Sequence, residues 1–286
     1  ICLAEFTKWS IKQSNNDTIN QSNIDEVIYK MTNFALHPSV SKRIAGATAF
    51  NHLYTILRED EKTVSTYWLE ILYSFVRSLN GCNDPSIINA LNHIERVLIA
   101  KKNLLNANYH NRRKPYEFEG STLIDAVNWL LTQCGCLDQC CRIKCMELVV
   151  KFSEHVANYD SIKSVINNYI DTHGIETFNH IILDELSKIE ILSVNSILPL
   201  LRSLDCYIWL IKGNLLDIQC LLGNLNSQKE VIFNCARNFI HLINRIKIEN
   251  KEDDMIILSK EIEHLQTLHC KTILSIFDFI QILLDI

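Results

Sequence analysis

Apolar residues recur along almost the whole chain at i, i+3, i+4 and i+7, the period of a helix that buries one face. In "STLIDAVNWLLTQC", Leu123, Ile124, Val127, Leu130, Leu131 and Cys134 form one stripe; in "DQCCRIKCMELVVKFSEHV", Cys141, Cys145, Leu148, Val149, Phe152 and Val156 form the next. Trp68, Leu69, Leu72, Tyr73 and Val76 repeat the pattern in "TYWLEILYSFV". The spacing predicts helices over about 3–13, 24–36, 39–58, 62–79, 85–105, 121–134, 138–157, 160–171, 175–187, 193–212, 214–223, 227–247 and 254–284. Start signals fall where they should: Asp84 before Pro85, Ser121 after Gly120, and a capping box of Ser227 with Glu230.

Most connections between these helices are short, so successive helices are antiparallel neighbours. Two are longer: the polar "QSNNDTINQSN" (13–23), expected to be a mobile linker, and "NANYHNRRKPYEFEG" (106–120), a loop with a basic centre. A dozen or so paired helices without a strand pattern point to an all-α fold, an α-solenoid of HEAT or armadillo type. Residues 1–286 are expected to be one segment of such a solenoid.

Composition sharpens this picture. Of 286 residues only 7 are Gly and 4 Pro, which suits long helices and leaves little for tight-turned sheets or phosphate-cradling glycine loops. Hydrophobic residues make up 48% and charged ones 21%, ample for a buried core. The net charge of −5 supplies no global field for nucleic acid, so a polyanion would have to be held locally. The start on "ICLAEF" without Met and the end on "QILLDI" in helical pattern suggest a piece of a longer chain. With no long uncharged apolar run, no membrane partner is expected.

Candidate chemistry is sparse. No H-E-x-x-H, G-x-S-x-G or P-loop pattern occurs, so no catalytic residue, cofactor or small-molecule substrate is expected. "CGCLDQCCRIKC" (134–145) holds five of the eleven cysteines. Zinc would need four thiolates or imidazoles, normally in two close pairs. Cys134, Cys141 and Cys145 instead lie on apolar stripes, where free cysteine acts as a small hydrophobe. A helix-hairpin core is therefore the favoured reading and a metal site its rival; Cys136 and Cys140 are left without a packing role. Eleven cysteines without a framework spacing fit reduced thiols in an intracellular protein. Arg112, Arg113 and Lys114, beside Tyr116 and Phe118, form the one compact basic patch and are the candidate contact to a partner protein or nucleic acid.

One stretch, "KRIAGATAFNHLYTILREDEKTVSTYWLEILYSFVRSLN" (42–80), carries a more specific signal through Arg43, Gly46, Ala49, Phe50, Asn51, Tyr54, Arg58, Glu59 and Glu61. It resembles the central helical-repeat region of the DNA-dependent protein kinase catalytic subunit family. Further similarity follows in order at "NRRKPYEF", at Val127, Trp129, Leu130 and Leu131, at Cys134-Gly135, Cys141-Arg142 and Lys144, at "ELVVKF" (147–152) and at "GIETFNHI" (174–181). The resemblance spans about residues 40 to 181. It includes counterparts of Cys134 and Cys141 but not of Cys136, Cys140 or Cys145, which speaks against a family zinc site.

The resemblance implies a HEAT-repeat piece, without catalysis of its own, of a large nuclear serine/threonine kinase of the phosphatidylinositol-3-kinase-related class. It further implies the Ku heterodimer and DNA ends as partners of the parent complex, in non-homologous end joining. An unrelated helical-repeat adaptor, such as a transport or trafficking scaffold, is the alternative.

Overall fold

The computed structural model describes residues 2–14, 18–183 and 197–216 and, near the C-terminus, 237, 267, 270–271, 273–282 and 284–285. Its elements are α1 (Cys2–Ser14), α2 (Thr18–Ala35), α3 (Val40–Leu57), α4 (Glu61–Ser78), α5 (Pro85–Ala100), α6 (Lys102–Asn106), α7 (Leu123–Gln133), α8 (Gln139–Ser153), α9 (Ile162–His173), α10 (Ile175–Ile181) and α11 (Ile197–Lys212). Residues 273–282 are also helical, and no strand occurs among the described residues. The fold is all-α, as the periodicity predicts.

Contacts divide the chain into two compact units, one of residues 1–133 with 143–162 and one of 134–142 with 163–286. In the first unit, each of α1 to α4 packs against the next helix and the next but one: α1 on α2 and α3, α2 on α3 and α4, α3 on α4 and α5, α4 on α5 and α6. That is the signature of a two-layered array of antiparallel helix pairs, the solenoid pattern. Its consequence is visible in α4. Trp68, Leu69, Leu72 and Val76 are buried as their stripe predicts, but so are Thr63, Val64, Tyr67, Ile71 and Phe75. A helix enclosed by α2, α3, α5 and α6 has no solvent face to keep polar.

The residues that carry the family resemblance have structural work in this array. Phe50 packs its ring 5.9 Å from Trp68 and 5.1 Å from Phe75, while the Trp68 indole N–H donates to the Ile94 carbonyl at 3.2 Å. Asn51 donates to the Ser86 carbonyl at 2.9 Å, tying α3 to the start of α5. A Cβ on Gly46 would sit 3.1 Å from Ala35 N and from Met31 O, so only glycine lets α3 approach the α2 backbone this closely.

Helix ends follow the capping rules, with differences from the sequence reading. Asp84 accepts from Ser86 N–H at 2.8 Å with Pro85 behind it, as expected. Asp60 caps α4 by accepting from Thr63 N–H at 2.8 Å, a start signal the sequence reading did not single out. Helix α7 starts at Leu123 rather than 121, because Asp125 reaches back to the Thr122 N–H at 2.8 Å. Helix α2 begins at Thr18, so 18–23 is helical where a linker was expected. With Ile24, Ile28 and Met31 buried, extending the helix backwards costs only the modest propensity deficits of Asn and Ser. Helix 85–105 divides into α5 and α6 at Lys101. Residues 214–216 are not helical, and the rest of the predicted 214–223 helix, residues 184–196, 227–247 with its capping box except residue 237, and 254–266 lie outside the described residues.

Candidate functional site

The loop after α6 is built around Arg112. Its guanidinium is buried and donates to four backbone carbonyls: Nε to Ser65 O at 2.8 Å, Nη1 to Leu105 O at 3.0 Å and Ser121 O at 2.5 Å, and Nη2 to Leu104 O at 2.6 Å. Burial lowers its pKa from the ordinary arginine value, and the four carbonyl dipoles compensate the loss of water. Arg112 therefore holds the loop to α4 and α6, and its donors are already bonded to the fold; the expectation of a partner contact through it is corrected on this point. Arg113 donates its backbone N–H to Thr66 O at 2.8 Å and lays its guanidinium 5.0 Å over the Tyr67 ring, with Asp25 at 3.8 Å. Lys114 bonds back to the Phe118 and Glu119 carbonyls at 3.3 and 2.9 Å. Arg113 and Lys114 remain partly open to solvent, so they are the members of the patch that a partner could reach.

The acidic end of the loop is more tightly bound than its basic centre. Glu117 accepts from Tyr73 OH at 2.9 Å, Arg77 Nη2 at 2.5 Å and, on its other oxygen, the Trp129 indole N–H at 2.7 Å. Burial alone would raise its pKa, but the donors Trp129, Arg77, Tyr116 and Tyr73 outweigh it and bring the carboxyl down to about 2. Burial and the Glu117 carboxylate push Tyr73 up to about 12. In sequence, Glu117 is simply an acidic neighbour of the basic patch. It is the anchor that fixes Tyr73, Phe118 and Trp129 in one aromatic cluster, with ring centroids 5.0 to 6.2 Å apart.

The cysteine-rich turn has a different organiser, Arg142. In the second unit this fully buried side chain donates to the Cys136 and Leu137 carbonyls at 2.8 and 3.1 Å and to Asp205 Oδ2 at 2.5 Å. Asp138 caps α8 through the Cys141 N–H at 2.8 Å. Gly135 lies against the Ile181 carbonyl so closely that a Cβ could not be placed there. Cys134 and Cys206 are buried, and the Cys206 thiol donates to the Cys134 carbonyl at 3.4 Å. Cys136, left unassigned by the stripe pattern, points its thiol at the Asp138 carbonyl at 3.3 Å.

The thiols are tuned away from chemistry. Burial raises Cys134 well above an ordinary thiol and pushes Cys206 up to about 12; a hydrogen bond with Cys141, together with burial, raises Cys136. Metal binding and nucleophilic attack both need the thiolate, which these settings disfavour. Among the described residues no group of three or more His, Cys, Asp or Glu is arranged to hold a metal ion, and no helix is long and apolar enough to cross a membrane.

Known proteins are similar to this chain, one of them over its full length. The family model described as the DNA-dependent protein kinase catalytic subunit, CC1/2, matches residues 1–286, beyond the 40–181 span of the sequence resemblance. The chain is similar to the DNA-dependent protein kinase catalytic subunit of Xenopus laevis, with 29% identity over 325 aligned positions that take in 100% of this chain and 8% of that protein. It is 35% identical to the Mus musculus protein of the same name over 187 residues, 61% of this chain and 4% of the relative. The Canis lupus familiaris protein matches at 32% over 194 residues, 62% of this chain and 5% of the relative. The chain thus spans less than a tenth of the length of these relatives.

Proposed function

The chain belongs to the DNA-dependent protein kinase catalytic subunit family, in its CC1/2 region, and on that premise we propose that it is a scaffold segment framing the ring around the Ku heterodimer and a DNA end. The segment is not the kinase part of its family. In this reading the parent is a nuclear serine/threonine kinase acting in non-homologous end joining, and residues 1–286 form one stretch of its HEAT solenoid.

The observation that carries the proposal is the family match over all 286 residues. The packing of α1 to α6 gives it a physical form, since a two-layered helical array offers long faces for many weak contacts. Each helix pair touches only its neighbours, so a displacement at one end is passed along in small steps. Arg113 and Lys114 are the loop residues that this reading offers to an acidic partner segment or a phosphate, without Arg112.

Cross-linking the parent polypeptide assembled with Ku and a short DNA duplex tests the reading. Lysines of this segment, Lys114 among them, are expected in cross-links to Ku or DNA. Recovery of transport receptors and no Ku in a pull-down with this chain would instead assign it to a trafficking scaffold.

A further inference from the structure

Between the end of α2, the start of α3, the end of α4 and the 106–120 loop lies a polar pocket of about 300 Å³. His37, Arg43, Tyr73, Arg77, Asn80 and Tyr116 line it, together with Glu117. Three observations show that its donors exceed its acceptors. Arg43 gives one bond, from Nη1 to the Asn80 carbonyl at 2.7 Å, while its buried Nε has no hydrogen-bond partner. A buried guanidinium nitrogen left unmatched is costly and is rare in a finished fold.

The second observation is at His37. Ser39 N–H donates to its Nδ1 at 2.9 Å, which makes that nitrogen the acceptor and leaves the ring proton on Nε2. Lys42 Nζ lies 3.1 Å from Nε2, which places a second cationic group beside the His37 edge of the pocket.

The third is the setting of α3. Its first turn contains no acidic residue, its Ser39 cap makes no side-chain bond, and Lys42 and Arg43 sit where the helix dipole is already positive. An anion in the pocket would meet the remaining guanidinium donors of Arg43 and Arg77 and the positive end of α3.

We propose that this pocket is a binding site for a phosphorylated side chain of a protein segment, with Arg43 and Arg77 gripping the phosphoryl oxygens and Tyr116 flanking the entrance. Glu117 does not compete for that role, because its oxygens are taken by Tyr73, Arg77 and Trp129. It holds Arg77 in place, since that guanidinium has further nitrogens beyond the Nη2 bonded to Glu117. A doubly charged phosphoryl group suits two guanidiniums better than a single carboxylate does. A nucleic-acid backbone would need a basic track leading away from the pocket, which a chain of net charge −5 with Glu117 and Glu119 in the adjoining loop does not provide. The inference does not depend on the Ku reading.

Titration calorimetry of the full chain with a short phosphoserine peptide, its unphosphorylated form, inorganic phosphate and a short DNA duplex tests it. The phosphopeptide is expected to bind saturably, the unphosphorylated form not at all. Arg43→Gln should weaken binding at least about tenfold, the loss of a charge-assisted bond to a dianion, with little change in melting temperature. Tyr116→Ala, at a residue 88% exposed that also donates to Glu117, tests the entrance and should weaken binding several-fold, with the melting temperature as control for the loss of that bond. No saturable binding, or binding unchanged in both variants, overturns the proposal. Inorganic phosphate binding as tightly as the peptide would make it a free-anion site, and a duplex that displaces the peptide would make it a nucleic-acid contact; either overturns the assignment to a phosphoprotein.

Discussion

Arg142 illustrates how one side chain can decide the conformation of a turn. Its pair with Asp205 is buried, and it also satisfies two carbonyls that the turn leaves unpaired. Removing one partner of a buried pair costs about 3–5 kcal/mol, because the other charge is stranded. Arg142→Ala is therefore expected to lower stability by that order in chemical denaturation, and Arg142→Lys to recover less than half. A single ammonium cannot reach both carbonyls and the carboxylate in the geometry of a planar fork. Glu117 makes a prediction about acid. Its folded pKa of about 2 lies below the 4.5 of an ordinary glutamate, so the ionised form is favoured by folding. Its contribution is complete above pH 4.5 and is lost as pH falls through that value towards 2. Melting temperature measured against pH should fall across this window in the native chain, and Glu117→Gln should be less stable at neutral pH and flatten the fall.

At the scale of helices and their connections, α3 shows where propensity and packing disagree. Gly46→Ala would gain about 1 kcal/mol of helix propensity. The new methyl would meet two backbone atoms of α2 at 3.1 Å, and a helix backbone cannot rotate aside as a side chain can. Overpacking of about 1–3 kcal/mol should win, so thermal melting is expected to report Gly46→Ala as destabilised despite the better helix former. Sequence periodicity located α3, α4 and α5 to within a residue or two at their starts, because buried stripes and caps such as Asp84-Pro85 are local signals. It could not foresee that α4 is buried nearly all round, since that depends on which helices surround it. The same limit explains the basic loop: "NRRK" looks alike whether an arginine faces water or, as Arg112 does, the carbonyls of Leu104, Leu105, Ser121 and Ser65. The cap at Asp138 is legible as the first residue of the predicted 138–157 helix, three residues before Cys141.

The first unit as a whole is built as an array of neighbouring helices, so its stability is expected to be passed between neighbours rather than pooled in one core. Helix α2 packs against α1, α3 and α4. Residues 143–153 of α8 belong to the same unit, but two of their polar links run to α5: Lys144 to Asn92 at 3.0 Å and Lys151 to Glu95 at 2.7 Å. A defect in α2 should thus loosen its own surroundings and fade before it reaches that end. Ile28 is fully buried, and Ile28→Ala should cost about 2–5 kcal/mol through lost burial and the cavity left behind. Hydrogen exchange of the native chain and the variant separates the two possibilities. In a nearest-neighbour array the variant exchanges faster in α1 to α4, while residues 143–153 keep their protection. In a single cooperative core the whole unit would lose protection by the same factor, and the repeat description of this chain would fail. The gradient also bears on the proposed scaffold role, because only a chain with local coupling can flex at one helix pair while keeping the surface formed by another.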